Sequence, residues 1–220
     1  MSYRHPETGE WAHNLSVSPS EDSWKTYLEP AWDVLGRFPH VPLKVIEVGF
    51  GRGYNCATLL REAQRAWPGR RVEITAFEPH PEGLLPWSSP PQDLKAWMPW
   101  WGRMEGQGPL IFEAAEGSWR LDLHLEEAQQ EALWNRAEGT HLFLLDLFSP
   151  GRHPDGWRPP LFDLIATARA RNAALTTYSC ARSIRDSLLA TGWTVERLRC
   201  PGWRDTLVAH FDATPPCGSG

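Results

Sequence analysis

The distribution of hydrophobic residues divides the chain into short apolar runs and stretches with helical spacing. The runs at 43–48 and 72–77 are rich in β-branched residues, as is typical of strands buried on both faces of a parallel sheet. The run at 141–146 has the same apolar character, and shorter runs at 121–125 and 174–178 resemble it. The pattern therefore predicts five strands in this order along the chain.

Between these runs, apolar residues recur at intervals of three and four, which is the spacing of one face of a helix. This spacing predicts helices over 56–67 and 159–168, the latter with two prolines at its start, and a further helix over 183–190. Near the N-terminus, a helix is predicted to begin after Ser23 as its N-cap and to stop at Gly36. Helices thus alternate with the predicted strands.

The last two apolar runs, 194–200 and 205–211, flank a Pro-Gly turn and predict an antiparallel pair. Alternating strands and helices followed by such a pair indicate an α/β fold, a doubly wound, mostly parallel sheet with a C-terminal antiparallel hairpin. A chain of 220 residues suits one such domain. We expect an N-terminal arm and helix over 1–40, a main domain over 41–212 with a lid-like insertion at 79–120 that holds a short helix around 92–101, and a disordered tail at 213–220.

Composition narrows the classes of function. The formal net charge is −5, from 22 basic and 27 acidic residues, so nucleic acid binding would require a local basic patch. The cysteines are far apart and the histidines are scattered, which predicts neither a zinc site nor a disulfide framework. No apolar run reaches the ~18 residues of a membrane span, and the polar start lacks a secretory signal. A cytoplasmic protein without a metal is expected.

The sequence EVGFGRGYN joins the first strand to the next helix. Gly49, Gly51 and Gly53 permit unusual backbone angles and allow a cofactor to approach the main chain closely. Phe50 and Asn55 belong to the same segment and are further candidate cofactor contacts. Nicotinamide and flavin enzymes use related turns, so the turn alone leaves the cofactor open.

Acidic residues at the strand ends favour S-adenosylmethionine. Glu47 lies two residues before the first glycine, where its carboxylate would hold the cationic amino-acid end of this cofactor and would repel a pyrophosphate. Glu78 ends the second strand, where adenosine cofactors place their ribose hydroxyls. Glu127 follows the third strand and is a candidate contact of the adenine amino group, with a solvated helix cap as the alternative.

Four motifs, in this order and spacing, resemble those of the MnmC-like methyltransferases, which methylate the aminomethyl group on the wobble uridine of tRNA. They are the glycine turn, FEPHP at 77–81, DLFSPGRHPDGW at 146–157 and TYS at 177–179. The resemblance covers roughly residues 43 to 211. It implies a Rossmann-like class I fold, S-adenosylmethionine as the cofactor and 5-aminomethyl(-2-thio)uridine in tRNA as the substrate. The sequence has no counterpart of the flavin-dependent oxidase domain fused to some relatives, so we expect a separate enzyme to supply that nucleoside.

Methyl transfer from a sulfonium is an in-line displacement, so the main task of the enzyme is to align the amine with the methyl group. Asp146, at the tip of the fourth strand and next to that methyl group, is the candidate that orients the amine and receives or relays its proton, and it is also a candidate contact of the cofactor. Phe148 and Pro150 are expected to form an apolar wall, with core packing as the alternative for Phe148. Tyr178 is a candidate contact of the substrate, or else a buried tyrosine whose hydroxyl bonds the backbone.

Basic residues on the segments after the fourth and fifth strands are candidate phosphate contacts, because ligands bind at that edge of the fold. One further arginine stands where relatives carry a basic run in the last hairpin. The set is Arg152, His153, Arg158, Arg182, Arg185 and Arg204.

Departures from the family pattern keep other functions open. The D-x-Y-F-S-like segment near the N-terminus of relatives has only residues 13–16 as a counterpart, and the last hairpin retains one arginine. Together with the acidic net charge, these departures support an alternative, a methyltransferase of a small amine or carboxylate metabolite. A third hypothesis, a cofactor-binding module that acts through exposed tryptophans without catalysis, is disfavoured by the presence of Asp146.

Overall fold

The structure of the protein is a computed structural model that describes residues 16–37, 41–80, 89–103, 109–130, 134 and 137–212. Four sequence predictions concern residues outside this set. They are most of the N-terminal arm, part of the insertion, Pro81 of the FEPHP motif, and the tail at 213–220.

Eight strands form one sheet. They are β1 (Leu43–Val48), β2 (Val72–Phe77), β3 (Leu110–Glu113), β4 (Trp119–His124), β5 (Thr140–Leu145), β6 (Arg169–Thr177), β7 (Thr194–Leu198) and β8 (Thr206–Asp212). Their order across the sheet is β3-β4-β2-β1-β5-β6-β8-β7. The five central strands from β4 to β6 are parallel, while β3 runs antiparallel to β4, and β8 runs antiparallel to both of its neighbours. The predicted doubly wound sheet with its antiparallel C-terminal hairpin is confirmed.

Helices cover both faces of this sheet. They are α1 (Pro19–Ser23), α2 (Trp32–Gly36), α3 (Tyr54–Ala66), α4 (Pro159–Ala168) and α5 (Arg182–Ala190). Leu142 and Leu144 of β5 belong to the hydrophobic cluster around α3, whereas Phe143 and Leu145 belong to the cluster around α4 and α5. Successive side chains of a strand point to opposite faces, so each face has its own core. In the described parts of the chain, no helix is long and apolar enough to cross a bilayer.

The N-terminal helix begins earlier than predicted and is not continuous. Ser18, not Ser23, is the N-cap, and its hydroxyl accepts a hydrogen bond from the backbone N–H of Glu21 (3.2 Å). After α1 the chain passes through a π-helical turn (Trp24–Leu28) and a 3₁₀ turn (Glu29–Ala31) before α2. Pro30 lies in that 3₁₀ turn and lacks a backbone N–H, so a regular helical ladder cannot run through this point.

The 79–120 region differs in detail from the sequence prediction. The expected helix around 92–101 is reduced to one 3₁₀ turn (Lys95–Trp97), with Pro91 and Pro99 on either side. Strand β3 was not predicted, because its four residues alternate between half-buried and exposed at the sheet edge and give little hydrophobic signal. Leu94 and Trp100 are buried in the hydrophobic core beside α3, so this part of the region packs as core.

Candidate active site

The carboxyl ends of three neighbouring strands meet at one edge of the sheet. Val48, the last residue of β1, pairs with Phe77 of β2 and with Leu145 of β5. The residues that follow these partners are Glu78 and Asp146, and the backbone N–H of Asp146 donates to the carbonyl of Val48 (2.9 Å). Strand order reverses at β1, and open α/β sheets bind ligands at such a switch point.

The glycine turn is packed on one side and open on the other. Gly49 has a φ of +88°, and a Cβ atom there would lie 2.4 Å from the carbonyl oxygen of Asp146, so only glycine allows the two segments to touch. A Cβ atom on Gly51 would meet no atom within 4 Å. The open space beside Gly51 is where a cofactor can approach the main chain.

Phe50 lies beneath the turn. Its side chain is buried, and its ring contacts that of Trp100 edge to face, with centroids 5.5 Å apart. Gly53, whose missing side chain would otherwise collide with the Phe50 ring, is the N-cap of α3. Phe50 therefore supports the turn from below, and its predicted contact with the cofactor stays a prediction.

One amide group connects the two carboxylates of the site. Asn55 Nδ2 donates to Glu47 Oε1 (2.9 Å) and to Asp146 Oδ2 (2.9 Å). The second oxygen of Glu47 accepts a hydrogen bond from the thiol of Cys56 (2.6 Å). Asn55 thus lies within the predicted site and fixes the relative positions of both acids.

Glu47 is completely enclosed, with 0% of its surface exposed. This burial raises the pKa of its carboxyl group to about 8, while the hydrogen bonds from Cys56 and Asn55 oppose the rise. Glu47 is therefore mostly protonated at neutral pH in this arrangement. Its predicted contact with the cationic end of the cofactor stays a prediction. In the structure, Glu47 accepts hydrogen bonds from Asn55 and Cys56 and holds both side chains in place.

Asp146 is held through both of its oxygens. Oδ1 accepts a hydrogen bond from the hydroxyl of Tyr27, and Oδ2 accepts the bond from Asn55. Burial raises the pKa of the Asp146 carboxyl group to about 6, while these two donors and the charge of Arg204 oppose the rise. A carboxylate that is fixed in position and titrates near neutrality is suited to proton transfer.

Glu78 lies beside the open space of the glycine turn. Its side chain is largely buried, Oε2 accepts from the backbone N–H of Gly51 (2.7 Å), and Oε1 accepts from the backbone N–H of His80 (2.9 Å). Glu127 is exposed in the loop after β4, at the same edge of the sheet. The structure thus brings Glu47, Glu78 and Asp146 around one turn, with Glu127 at its periphery.

The segment after β5 is anchored at two points. Tyr178 donates its hydroxyl hydrogen to the carbonyl of Leu147 (2.9 Å), which matches the backbone-bonded alternative for this residue. The indole N–H of Trp157 donates to the carbonyl of Phe148 (2.7 Å). Phe148 and Pro150 are half-buried, as an apolar wall at the rim of the site would require.

Three of the predicted phosphate contacts form ion pairs with neighbouring acids. Arg158 pairs with Asp155, and Arg182 and Arg185 approach Asp186 to 3.4 and 3.7 Å. All three arginines are exposed, and exposed pairs of this kind break at little cost. These contacts reduce the local positive charge without preventing an interaction with phosphate.

The remaining basic candidates are Arg152, His153 and Arg204. Arg152 is exposed, and the half-buried ring of His153 covers Gly156. Arg204 is exposed, and its guanidinium lies 5.3 Å from the centre of the Tyr178 ring. Its charge also lowers the pKa of Asp146, which places Arg204 closer to the catalytic candidate than the sequence suggested.

Sequence reasoning missed three residues of this site. Tyr27 lies 119 positions from Asp146 in the chain and carries no motif signal. Cys56 falls on the apolar face of α3, and Arg52 lies between two glycines of the turn, so neither carries a local signal of a role in the site. Among the described residues, no group of three or more His, Cys, Asp or Glu side chains is arranged to hold a metal ion.

Comparison with known proteins identifies relatives of the chain. A protein family described as S-adenosyl-L-methionine-dependent methyltransferase has a profile that matches residues 95–211. A protein of Methylibium petroleiphilum is 31% identical over 97% of this chain and 33% of its own length. A protein of Ralstonia nicotianae is 32% identical over 76% of this chain and 26% of its own length. Both are named tRNA 5-methylaminomethyl-2-thiouridine biosynthesis bifunctional protein MnmC.

The chain therefore spans between about a quarter and a third of the length of these relatives. Among solved structures, MnmC2 from Aquifex aeolicus superposes with a TM-score of 0.79 at 24% identity. The match covers 96% of this chain and 67% of that one, and it supports the Rossmann-like fold.

Proposed function

This chain belongs to the S-adenosyl-L-methionine-dependent methyltransferase family, and from that premise we propose that it methylates the aminomethyl group of 5-aminomethyl(-2-thio)uridine at the wobble position of tRNA. S-adenosylmethionine is its cofactor. The residues present suit that molecule, since the glycine turn is open beside Gly51 and acids line the strand ends around it. The substrate is the part of the proposal that goes beyond family membership.

Two observations support the tRNA substrate. The relatives described above are named for the biosynthesis of a methylaminomethyl uridine in tRNA, and one of them aligns with 97% of this chain. The segment that begins at Asp146 follows β5 directly beside the glycine turn, where the family resemblance locates the target amine. A tRNA substrate also implies a cytoplasmic enzyme, and a separate activity that produces the aminomethyl uridine.

The observation that carries the proposal is the raised pKa of Asp146, whose carboxylate is held in place by hydrogen bonds to both of its oxygens. S-adenosylmethionine supplies an electrophilic methyl group, and the amine must be unprotonated to attack it. An alkylammonium group has a pKa near ~10 by comparison with lysine. Burial raises the pKa of Asp146 from 3.8 to about 6, which reduces the difference in pKa between the alkylammonium donor and the carboxylate acceptor. The Asp146 carboxyl group still stays mostly ionised at neutral pH. Asp146 then accepts a hydrogen bond from the amine, orients it and receives or relays its proton.

Basic residues at the same edge supply contacts for the nucleic acid. Arg152, Arg182, Arg185 and Arg204 are exposed on segments after the carboxyl ends of the strands. A net charge of −5 disfavours binding by bulk attraction, so recognition would depend on this local group. Phe148 and Pro150 would provide the apolar surface against the uracil ring.

The decisive experiment is transfer of a radiolabelled methyl group to tRNA from a strain that lacks this methylation, followed by nucleoside analysis. We expect label in methylaminomethyl-uridine and none in tRNA that is already methylated. Label that appears only in a small amine or carboxylate compound would replace the tRNA substrate with the metabolite alternative. Label in another nucleoside would retain tRNA and reject the wobble position.

A further inference from the structure

Arg52 is a buried cation that forms no ion pair with the described residues. It lies within the glycine turn, only 4% of its surface is exposed, and its Nε and Nη2 atoms are buried without a hydrogen bond. No carboxylate among the described residues lies within 4.0 Å of its guanidinium. Arg70, which is buried to a similar degree, donates through Nε to the carbonyl of Val41 (3.0 Å) and through Nη1 to that of Leu35 (2.8 Å), so that only its Nη2 lacks a hydrogen bond. A buried charge without such partners is costly, so the Arg52 site is suited to an anion.

Ring contacts place the Arg52 side chain at the N-terminus of α3. The guanidinium lies 5.7 Å from the centre of the Trp101 ring, and the same ring stacks on Tyr54, the first residue of α3, at 6.3 Å. The N-cap of this 13-residue helix is Gly53, which offers no capping side chain. The N-terminus of a helix carries a partial positive charge and attracts anions. The Arg52 guanidinium and the start of α3 therefore both favour a negatively charged ligand.

The position of Arg52 selects a small anion. The open space beside Gly51 borders the turn, and Glu78 bonds the Gly51 amide from the side where the ribose of the cofactor is expected. With its ribose beside Glu78, a cofactor that follows the turn would extend its amino-acid end towards Tyr54, where α3 begins. A phosphate of folded tRNA cannot readily reach a guanidinium that is almost fully covered.

The charges on S-adenosylmethionine indicate which of its groups Arg52 would bind. S-adenosylmethionine carries a sulfonium, an ammonium and a carboxylate group, and only the carboxylate complements an arginine. The carboxylates of Glu78 and Asp146 lie around the rest of the site. Arg52 is the cation that the glycine turn itself provides.

We propose that Arg52 binds the carboxylate at the amino-acid end of S-adenosylmethionine. The inference rests on the proposed function only in so far as the cofactor occupies the glycine turn. It assigns a specificity-determining contact to a residue that the glycine motif leaves variable. Because the bond joins two charged groups, we expect its loss to reduce affinity by about 10- to 100-fold.

The test measures binding rather than activity. Isothermal titration compares S-adenosylmethionine with decarboxylated S-adenosylmethionine, which differs only by the missing carboxylate, for the wild type, Arg52→Gln and Arg65→Gln. The wild type is expected to prefer the carboxylated compound by at least about tenfold. In Arg52→Gln that preference should fall to within about threefold, while the affinity for the decarboxylated compound stays unchanged. Arg65→Gln, at an exposed position of α3, should behave as the wild type.

Each other outcome has a distinct meaning. Equal wild-type affinity for both compounds overturns the assignment of Arg52 and leaves the methyltransferase function standing. An Arg52→Gln variant that weakens both compounds equally makes Arg52 a structural residue, and one that weakens only tRNA binding makes it a phosphate contact. A wild-type chain that binds neither compound contradicts the proposed function itself.

Folding is controlled with a second variant. Should Arg52→Gln lose its native circular dichroism spectrum, Arg52→Lys preserves the charge and removes the two-pronged geometry of the guanidinium. Its preference for the carboxylated compound should lie between those of the wild type and a neutral side chain. A lysine variant that retains the full preference would reject bidentate recognition by Arg52.

Discussion

The hydroxyl of Tyr27, in the π-helical turn near the N-terminus, donates a hydrogen bond to Oδ1 of Asp146 at the end of β5. Asn55 donates to the other oxygen, so the two donors approach Asp146 from different elements. Asp22 and Arg204 also act on this carboxyl group, the first raising its pKa and the second lowering it. The ionisation of the catalytic candidate is thus controlled by residues far apart in the chain.

Removing the Tyr27 hydroxyl should shift the pH dependence of the reaction. The hydrogen bond favours the ionised form of Asp146, so its loss raises a pKa that burial has already raised to about 6. In Tyr27→Phe, the acid limb of the kcat/KM profile should move to higher pH by about one unit. The affinity for S-adenosylmethionine should stay within twofold. Lys25→Gln, in the same π-helical turn and paired with Glu29, is the matched control, and an acid limb that does not move would remove Tyr27 from the control of Asp146.

Asp146 should be needed for turnover and dispensable for cofactor binding. Asp146→Ala removes the proton acceptor, and Asp146→Asn keeps the shape without the charge. Both should lower kcat by about 10²- to 10⁴-fold, the usual contribution of a general base. Calorimetry should show near-normal affinity for S-adenosylmethionine. Normal turnover in either variant would take Asp146 off the list of catalytic residues.

Glu47→Gln should change how stability depends on pH. Burial raises the pKa of Glu47 from 4.5 to about 8, so the native state binds one proton more than the unfolded state between these values. The protonated carboxyl group therefore contributes to the free energy of unfolding below about pH 4.5, and this contribution is lost as pH rises to about 8. The wild type should lose stability over this window, and Glu47→Gln should lose less. Parallel curves of melting temperature against pH for the two proteins would refute the raised pKa.

Gly49→Ala should disrupt the site, whereas the same change elsewhere should be mild. At Gly49, φ is +88° and a Cβ atom would collide with the Asp146 carbonyl at 2.4 Å. Gly69 has a similar φ of +82°, but a Cβ atom there would meet nothing within 4 Å. We expect Gly69→Ala to lower the free energy of unfolding, measured with urea, by about 1 kcal/mol because of its backbone conformation alone. Gly49→Ala should lower this free energy clearly more and should abolish methyl transfer. Equal losses would show that the contact between Gly49 and Asp146 relaxes without strain.

The double variant Arg182→Gln/Arg185→Gln tests the predicted tRNA contacts. If both residues neutralise phosphates, binding should weaken and the slope of log affinity against log salt should fall by about 1.5. Arg65→Gln/Arg71→Gln removes the same charge from α3 and from the residue that precedes β2. The control pair should leave the slope unchanged. An unaltered slope in the first variant would assign those arginines to their ion pairs with Asp186.

The fold was largely predictable because its signals are local. Continuous apolar runs predicted β1, β2 and β5, and helical spacing predicted α3, α4 and α5. The errors lie where local signals are weak. The short edge strand β3 has exposed residues in alternate positions, and the N-terminal helix changes from α to π to 3₁₀ geometry around Pro30.

The sequence by itself determined which residues end the strands, and hence that Glu47, Glu78 and Asp146 would lie at one edge of a parallel sheet. Strand type and order along the chain are sufficient for that conclusion. Only the tertiary structure decided which side chains surround those acids. Tyr27 reaches Asp146 across 119 positions of the chain, and Arg52 is buried beside the ring of Trp101 with no ion pair to the described residues. Periodicity is a property of neighbouring residues, whereas burial and hydrogen bonding depend on which distant segments the sheet brings together.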